Sequence, residues 1–135
     1  MKEDAGKPLV ERSKEGLGVR PNFDIHPDEN GMVQPGNEGM SVAPSIHELR
    51  PHLVPLRLEH IYPDAQARNS TGLKIWRMGT GAFVTSMVTA ELVLVLDPKN
   101  VNHGVVAPVS KVSFEIYELN LASTRELWEV DESGE

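Results

Sequence analysis

Two stretches of the chain have hydrophobic patterns that each predict a secondary-structure element. Residues 92–96 (LVLVL) are apolar on both faces, as expected of a strand inside a sheet. Nearer the C-terminus, large apolar residues recur at helical spacing: Phe114, Tyr117, Leu121 and Trp128. Ser113 precedes this run as an N-cap candidate, and Glu115 falls in the first turn. The pattern therefore predicts a central strand followed by an amphipathic helix that covers the sheet.

The first half of the chain has a different character because proline interrupts it repeatedly. Seven prolines lie between Pro21 and Pro63, and each lacks an N–H and restricts the residue before it. This half is predicted to contain short strands and turns. A hairpin with a type I′ turn at Asn30-Gly31 is predicted to join residues 23–26 to Met32–Val33, and residues 40–43 (MSVA) form the next strand.

Three further local signals complete the predicted elements. Ser45 and Glu48 have capping-box spacing for a short helix that Pro51 ends. Residues 73–77 (LKIWR) are predicted to be a strand, and a hairpin turn is predicted between Trp76 and Val84. Short, mostly antiparallel strands with few helices predict an α+β fold.

The two chain ends are predicted to lie outside the folded domain. Residues 1–16 are rich in charge and poor in apolar side chains, which predicts a flexible tail, and residues 131–135 are predicted to be a second, acidic tail. The remaining residues 17–130 are long enough for one domain with its own core.

Charge and composition restrict the classes of partner. The formal net charge is −7, so broad attraction to nucleic-acid phosphates or anionic lipids is not expected. The chain has no cysteine, which excludes disulfides and thiolate ligands, and it has no apolar run long enough to span a bilayer. The cytoplasm is the expected location, with no nucleic-acid or membrane partner.

The glycine-rich segment Gly36–Pro44 is the candidate functional surface. Two glycines precede a strand that carries a hydroxyl, which would let a ligand approach the backbone closely. A tight turn leading into a strand explains the same residues without a ligand. Spacing alone does not decide between these interpretations.

Other familiar site patterns are weak or missing in this sequence. The Gly-x-Gly at Gly79–Gly81 lacks the third glycine of a dinucleotide fingerprint. The five histidines lack the helical i, i+4 spacing of a zinc protease, so a metal site is not predicted. No Gly-x-Ser-x-Gly elbow and no cysteine nucleophile are present.

Three patches in order along the chain resemble those of a known family. They are an Asn-Gly turn, the strand GlyMetSerVal at 39–42, and a strand that begins at His103 (HGVVAP) and leads to a helix that ends with Trp128. In these patches the chain resembles small bacterial type VI secretion effector toxins of the ADP-ribosyltransferase-like class. It departs from them at Glu38, where a glycine would be expected, and it has no evident catalytic glutamate in a terminal strand.

The resemblance implies a split antiparallel sheet with NAD in the cleft between its halves and an intracellular target for the transferred group. It implies catalytic roles for three residues: Arg20, on the first strand, with phosphate or ribose, Ser41 with the nicotinamide ribose or amide, and His103 with a ribose hydroxyl. It further implies that the cofactor-binding site is lined by Gly39, Met40, Arg57, His60 and Trp76. A cognate immunity protein would be a partner, and a secretion system would deliver the toxin into a target cell.

Two non-enzymatic alternatives remain open. The proline-rich half could bind a protein partner without catalysis, and the acidic charge suits a neutralising protein that covers a basic surface of a toxin. An NAD site requires Arg20, Ser41 and His103 to face one cleft.

Overall fold

A computed structural model describes residues 1–13, 16–45, 48–49, 58, 74–79 and 82–132. Within this part of the chain there are ten strands and one α-helix. The strands are β1 (Glu3–Asp4), β2 (Lys7–Pro8), β3 (Met32–Val33), β4 (Met40–Val42), β5 (Trp76–Met78), β6 (Ser86–Met87), β7 (Leu92–Asp97), β8 (Asn100–Pro108), β9 (Val112–Ser113) and β10 (Trp128–Val130). The helix, α1, spans Phe114–Ala122.

The largest sheet is antiparallel and has the strand order β4-β8-β7-β6. In its register Ser41 lies opposite Val105, and Val105 lies opposite Val95. The prediction that residues 92–96 form an interior strand is confirmed, since β7 pairs with β8 on one side and β6 on the other. The predicted strand at residues 40–43 is confirmed as β4.

Helix α1 packs against one face of this sheet, as the hydrophobic pattern predicts. Phe114, Tyr117 and Leu121 are buried on the helix, and Val106 of β8 belongs to the same core cluster. Ser113 is confirmed as the N-cap, because its Oγ accepts a hydrogen bond from the Ile116 N–H at 3.2 Å. Trp128 belongs to β10 rather than to the helix, since α1 ends at Ala122 and a 3₁₀ turn, Arg125–Leu127, follows it.

Strand β3 pairs with β9, which corrects the predicted hairpin between residues 23–26 and 32–33. A type I′ turn needs positive φ at both central residues, but of Asn30 and Gly31 only Gly31 has it, at 75°. The Asp28 carboxylate instead closes the turn by accepting hydrogen bonds from the N–H groups of Met32 and Asn30, which hold the pKa of Asp28 below its ordinary value.

Strand β5 pairs with β10, so the hairpin predicted between Trp76 and Val84 is wrong. Trp76 lies opposite Val130, and Met78 lies opposite Trp128. Next to this pair, Asp131 donates its N–H to the Ile75 carbonyl at 2.8 Å. Asp131, the first residue of the predicted acidic tail, is therefore bonded to the residue that precedes β5. Residues 133–135 lie outside the described residues.

The N-terminal residues also differ from the predicted flexible tail. Strands β1 and β2 form a hairpin, and Pro8 is buried. The Arg125 guanidinium donates to the carbonyl of Pro8 at 2.9 Å and to the carbonyl of Asp4. In the other direction, Lys7 Nζ donates to the carbonyls of Glu126 and Trp128 at 3.3 Å, so the hairpin is attached to the C-terminal segment. The helix predicted from Ser45 falls mostly outside the described residues.

The fold is a small mixed α+β arrangement of mainly antiparallel strands. No helix in the part of the chain described is long and apolar enough to cross a membrane.

Candidate functional site

The Tyr117 hydroxyl lies at the start of β4, next to Gly39. That hydroxyl donates to the Val106 carbonyl and accepts from the Met40 N–H, so it bridges β4 and β8 at the first residue pair of their ladder. Gly39 has φ 151°, and a Cβ there would overlap the Val106 carbonyl and the Tyr117 hydroxyl. Gly39 and Met40, predicted to line a cofactor, therefore have packing roles in this structure.

Glu38, which departs from the resemblance, has a partner of its own. Its carboxylate accepts the His26 N–H at 3.3 Å, and its other oxygen lies 2.5 Å from His26 Nδ1. Both side chains are about half exposed. The pair therefore links Glu38, in the glycine-rich turn, to His26, in the segment before the Asp28 turn.

Arg20 lies outside the described strands, in contrast to its predicted place on a first strand. Its guanidinium contacts the Asp24 carboxylate at 3.3 Å and stacks on the ring of Phe23 at 5.1 Å. Asp24 in turn accepts the Gly39 N–H through its carbonyl at 3.1 Å. Arg20 is thus held beside the start of β4 by a neighbour four residues away.

Ser41 of β4 and His103 of β8 come from adjacent strands of the large sheet. Ser41 is opposite Val105, whereas His103 lies beyond the last pair of the β4–β8 ladder, Val42 with Gly104, in a stretch of β8 where the register with β7 shifts. Met40 and Val42 pack on the core that contains α1, so Ser41 between them projects from the opposite face. Ser41 is exposed, and His103 is partly exposed.

Asp97 of β7 approaches His103 from the side away from β4. Its Oδ2 lies 3.6 Å from His103 Nδ1, within ion-pair range but longer than a hydrogen bond. Asp97, His103 and Ser41 thus occupy three adjacent strands in the order β7, β8, β4. Among the described residues, the Ser41 hydroxyl and His103 Nε2 have no hydrogen-bond partner.

Trp76 is placed in a different sheet, the pair of β5 and β10. Its Nε1 donates to the carbonyl of Met1 at 2.8 Å. Of the predicted residues, Ser41 and His103 come from adjacent strands of one sheet, whereas Arg20 and Trp76 are held elsewhere. Arg57 and His60 lie outside the described residues.

An open apolar groove of about 700 Å³ follows β7. Its lining residues include Met87, Val93 and Val95, together with Pro98, Gly36 and Asn37. Asn37 supplies a polar side chain to a lining that is otherwise aliphatic side chains, prolines and one glycine. The first residues of the predicted functional segment therefore border a surface suited to apolar groups.

Helix α1 has a second apolar side that faces solvent. Ile116 is 46% exposed and Leu119 is 65% exposed, and their spacing of three places them on one side of the helix. Residues 111–132 carry six carboxylates and two basic side chains. Of these carboxylates, Glu115 and Glu118 lie on α1, and Glu118 is paired with Arg12. We call Ile116 and Leu119, with the carboxylates of residues 111–132, the acidic helix surface.

Sequence reasoning missed the acidic helix surface and Asp97. Ile116 and Leu119 were available as apolar residues outside the helical pattern of Phe114, Tyr117 and Leu121, a signal that the helix is apolar on two sides. Asp97 carries no comparable signal, because its approach to His103 depends on the pairing of β7 with β8.

No group of three or more metal-ligating side chains is brought together among the described residues. Comparison of the chain with protein-family models, curated proteins and solved structures gives no match.

Proposed function

We propose that this protein is a binding module for a basic protein partner, and that the partner docks on the acidic helix surface. The observation that carries the proposal is the exposed apolar pair Ile116 and Leu119 in a stretch rich in carboxylates. Exposed apolar side chains of a folded helix gain free energy when a partner covers them, and carboxylates around them select a partner of opposite charge.

A basic partner fits this surface better than a second copy of the chain. Two copies would place like charges against each other, since residues 111–132 of each carry six carboxylates and two basic side chains. Glu126 and Glu129 are largely exposed, at 73% and 69% of their side-chain surface, although each already lies within ion-pair range of an arginine, Arg125 at 3.7 Å and Arg77 at 3.4 Å. This is the chemistry of a protein that neutralises a basic surface, as in the antidote of a toxin.

An NAD-dependent ADP-ribosyltransferase-type activity has less support from the geometry. Ser41 and His103 come from adjacent strands, which favours it, but Arg20 is paired with Asp24 and Trp76 belongs to another sheet. A dinucleotide site needs phosphate-binding and ring-stacking groups around one cleft.

The test uses two synthetic 18-residue helical peptides, one with leucine on one face and lysine elsewhere, the other with glutamate replacing lysine. We expect the full chain to bind the lysine peptide in a fluorescence anisotropy titration. The double variant Ile116→Ser/Leu119→Ser should weaken that binding about tenfold, because it removes apolar contact area of the kind that dominates interfaces. The glutamate peptide should not bind.

Val101→Ser is the matched control, since Val101 is 67% exposed and lies at the start of β8, not on α1. It should bind the lysine peptide like the unaltered chain. Equal binding by the double variant and the control would overturn the proposal. Calorimetric titration with NAD completes the test, since saturable NAD binding lost in His103→Ala would favour the enzyme instead.

A further inference from the structure

We propose that two copies of this chain form a dimer in which the Phe23 side chain of each copy enters the apolar groove of the other. The dimer goes beyond the docking of a basic partner on the acidic helix surface and does not depend on it. Two features of the described residues carry the proposal because they fit each other. One is an exposed phenylalanine on a hydrogen-bonded turn, and the other is an open apolar groove.

Phe23 presents most of its side chain to solvent. Its exposed fraction is 72%, the largest among the exposed large apolar side chains of the described residues. The Arg20 guanidinium stacks on the ring at 5.1 Å and still leaves most of the phenylalanine uncovered. Aromatic side chains dominate the energetics of interfaces, so a second molecule that covers this ring gains binding free energy.

The turn that carries Phe23 is held in one conformation by its hydrogen bonds. The Arg20 carbonyl accepts the N–H groups of Phe23 and Asp24 at 3.3 and 3.0 Å, and the Asp24 carboxylate accepts the Arg20 N–H at 2.7 Å. Val19 and Ile25, which flank the turn, belong to the buried core. A ring on such a turn loses little conformational entropy when it binds, which favours its use as an anchor.

The groove has the size and the chemistry to receive an aromatic ring. Its volume of about 700 Å³ lies within the range of pockets that hold small organic groups, roughly 300–1,000 Å³. Met87, Val93 and Val95 offer it apolar side chains. Val95 is in register with Ser41 through Val105, so the groove lies on the sheet face opposite α1. A phenyl ring has no polar group to leave unpaired there.

Charge favours these two surfaces for contact between copies of one chain. With a formal net charge of −7, two copies repel each other unless they meet where neither surface carries a net charge. The described residues that line the groove include no Asp, Glu, Lys or Arg. On the turn, the charges of Arg20 and Asp24 oppose each other at 3.3 Å. The contact therefore brings no like charges together.

The turn is bonded to the segment that borders the groove, which permits a reciprocal contact. The Asp24 carbonyl accepts the Gly39 N–H at 3.1 Å, and Gly39 follows the lining residue Asn37 by two positions. When a projecting side chain and its receptor are neighbours on one molecule, a two-fold axis satisfies both contacts at once and closes the dimer. Two rings in two grooves bury roughly 600–1,000 Å², which is small for a stable interface and predicts a weak dimer.

The experiment is sedimentation velocity of the full chain at concentrations from about 0.01 to 1 mM, the range suited to a weak dimer. We expect the unaltered chain to shift from monomer toward dimer across this range. Phe23→Ser removes the ring and Met87→Glu places a carboxylate in the groove, so both variants should stay monomeric. Both positions are exposed, so neither change disturbs the core. Val101→Ser is the matched control, because Val101 is 67% exposed and lies outside the turn and the groove lining. It should dimerise like the unaltered chain.

Photocrosslinking locates the contact. With p-benzoylphenylalanine in place of Phe23, irradiation should yield a covalent dimer whose cross-link maps by mass spectrometry to groove residues such as Met87. The same photoreactive residue in place of Val101 should yield no cross-link to the groove. A monomer at every concentration, a dimer retained in Phe23→Ser, or cross-links outside the groove would each overturn the inference. Ile116→Ser/Leu119→Ser should dimerise normally, so the result is separate from peptide binding at α1.

Discussion

Tyr117 links the first residue of β4 to β8. Its ring is buried, and its hydroxyl is the link between the Met40 N–H and the Val106 carbonyl. Burial removes water from the phenol and raises its pKa above the ordinary value, because the charged tyrosinate is disfavoured there. A single hydroxyl thus stabilises the strand that carries Ser41.

We expect Tyr117→Phe to lower the free energy of unfolding by about 1–3 kcal/mol at neutral pH, because a buried donor and acceptor lose their partner. The difference between the two proteins should shrink as pH rises above 10.0, the value at which the unfolded tyrosine ionises. The folded state holds the proton to higher pH, so alkali favours the unfolded chain, and the variant lacks this contribution. Urea unfolding of both proteins at about pH 8 and pH 10.5 measures it; a constant or growing difference would contradict it.

At the scale of elements, α1 begins where the sequence places it. Ser113 Oγ accepts a hydrogen bond from the Ile116 N–H, while the Ser113 backbone pairs with Met32. We expect Ser113→Ala to lower the free energy of unfolding by about 1 kcal/mol, because an N–H at the helix start loses its acceptor. Ser113→Asp should retain the stability of the unaltered chain, since aspartate also caps. Thermal unfolding followed by circular dichroism checks both, and equal midpoints for serine and alanine would refute the capping role.

Elements with a strong local signal were predictable from the sequence, and those that depend on distant pairing were not. Five consecutive apolar residues indicate β7. The N-cap residue and the helical spacing of the buried residues indicate α1. The partner of β3 is β9, some 80 residues away, and no local pattern marks that pairing. The Asn30-Gly31 signal was misread because the Asp28 carboxylate closes the turn without positive φ at Asn30.

The same limit applies to the candidate site. Ser41 and His103 were identifiable as polar residues in strands, and the sheet order places those strands side by side. The roles of Gly39 and Met40 depended on Tyr117, which lies 77 residues from Met40 along the chain. Asp97 was not identifiable, because its proximity to His103 exists only after β7 and β8 pair.

Across the whole molecule, negative charge is concentrated toward the C-terminus, while the sheet face with Ser41 borders an apolar groove. Attraction between exposed charges weakens with salt, whereas burial of apolar surface does not. If the acidic helix surface binds a basic partner, the two contributions should therefore separate experimentally. We expect the affinity for the lysine peptide to fall about tenfold between roughly 0.05 M and 0.5 M NaCl.

The double variant Glu126→Gln/Glu129→Gln should flatten that salt dependence, because it removes two exposed carboxylates without altering Ile116 or Leu119. The Ile116→Ser/Leu119→Ser variant should bind more weakly at every salt concentration while keeping the slope, since it leaves every charge in place. Anisotropy titrations of the three proteins along one salt series measure both effects. The same slope for the glutamine variant and the unaltered chain would show that other carboxylates attract the peptide, and that the partner docks elsewhere on the molecule.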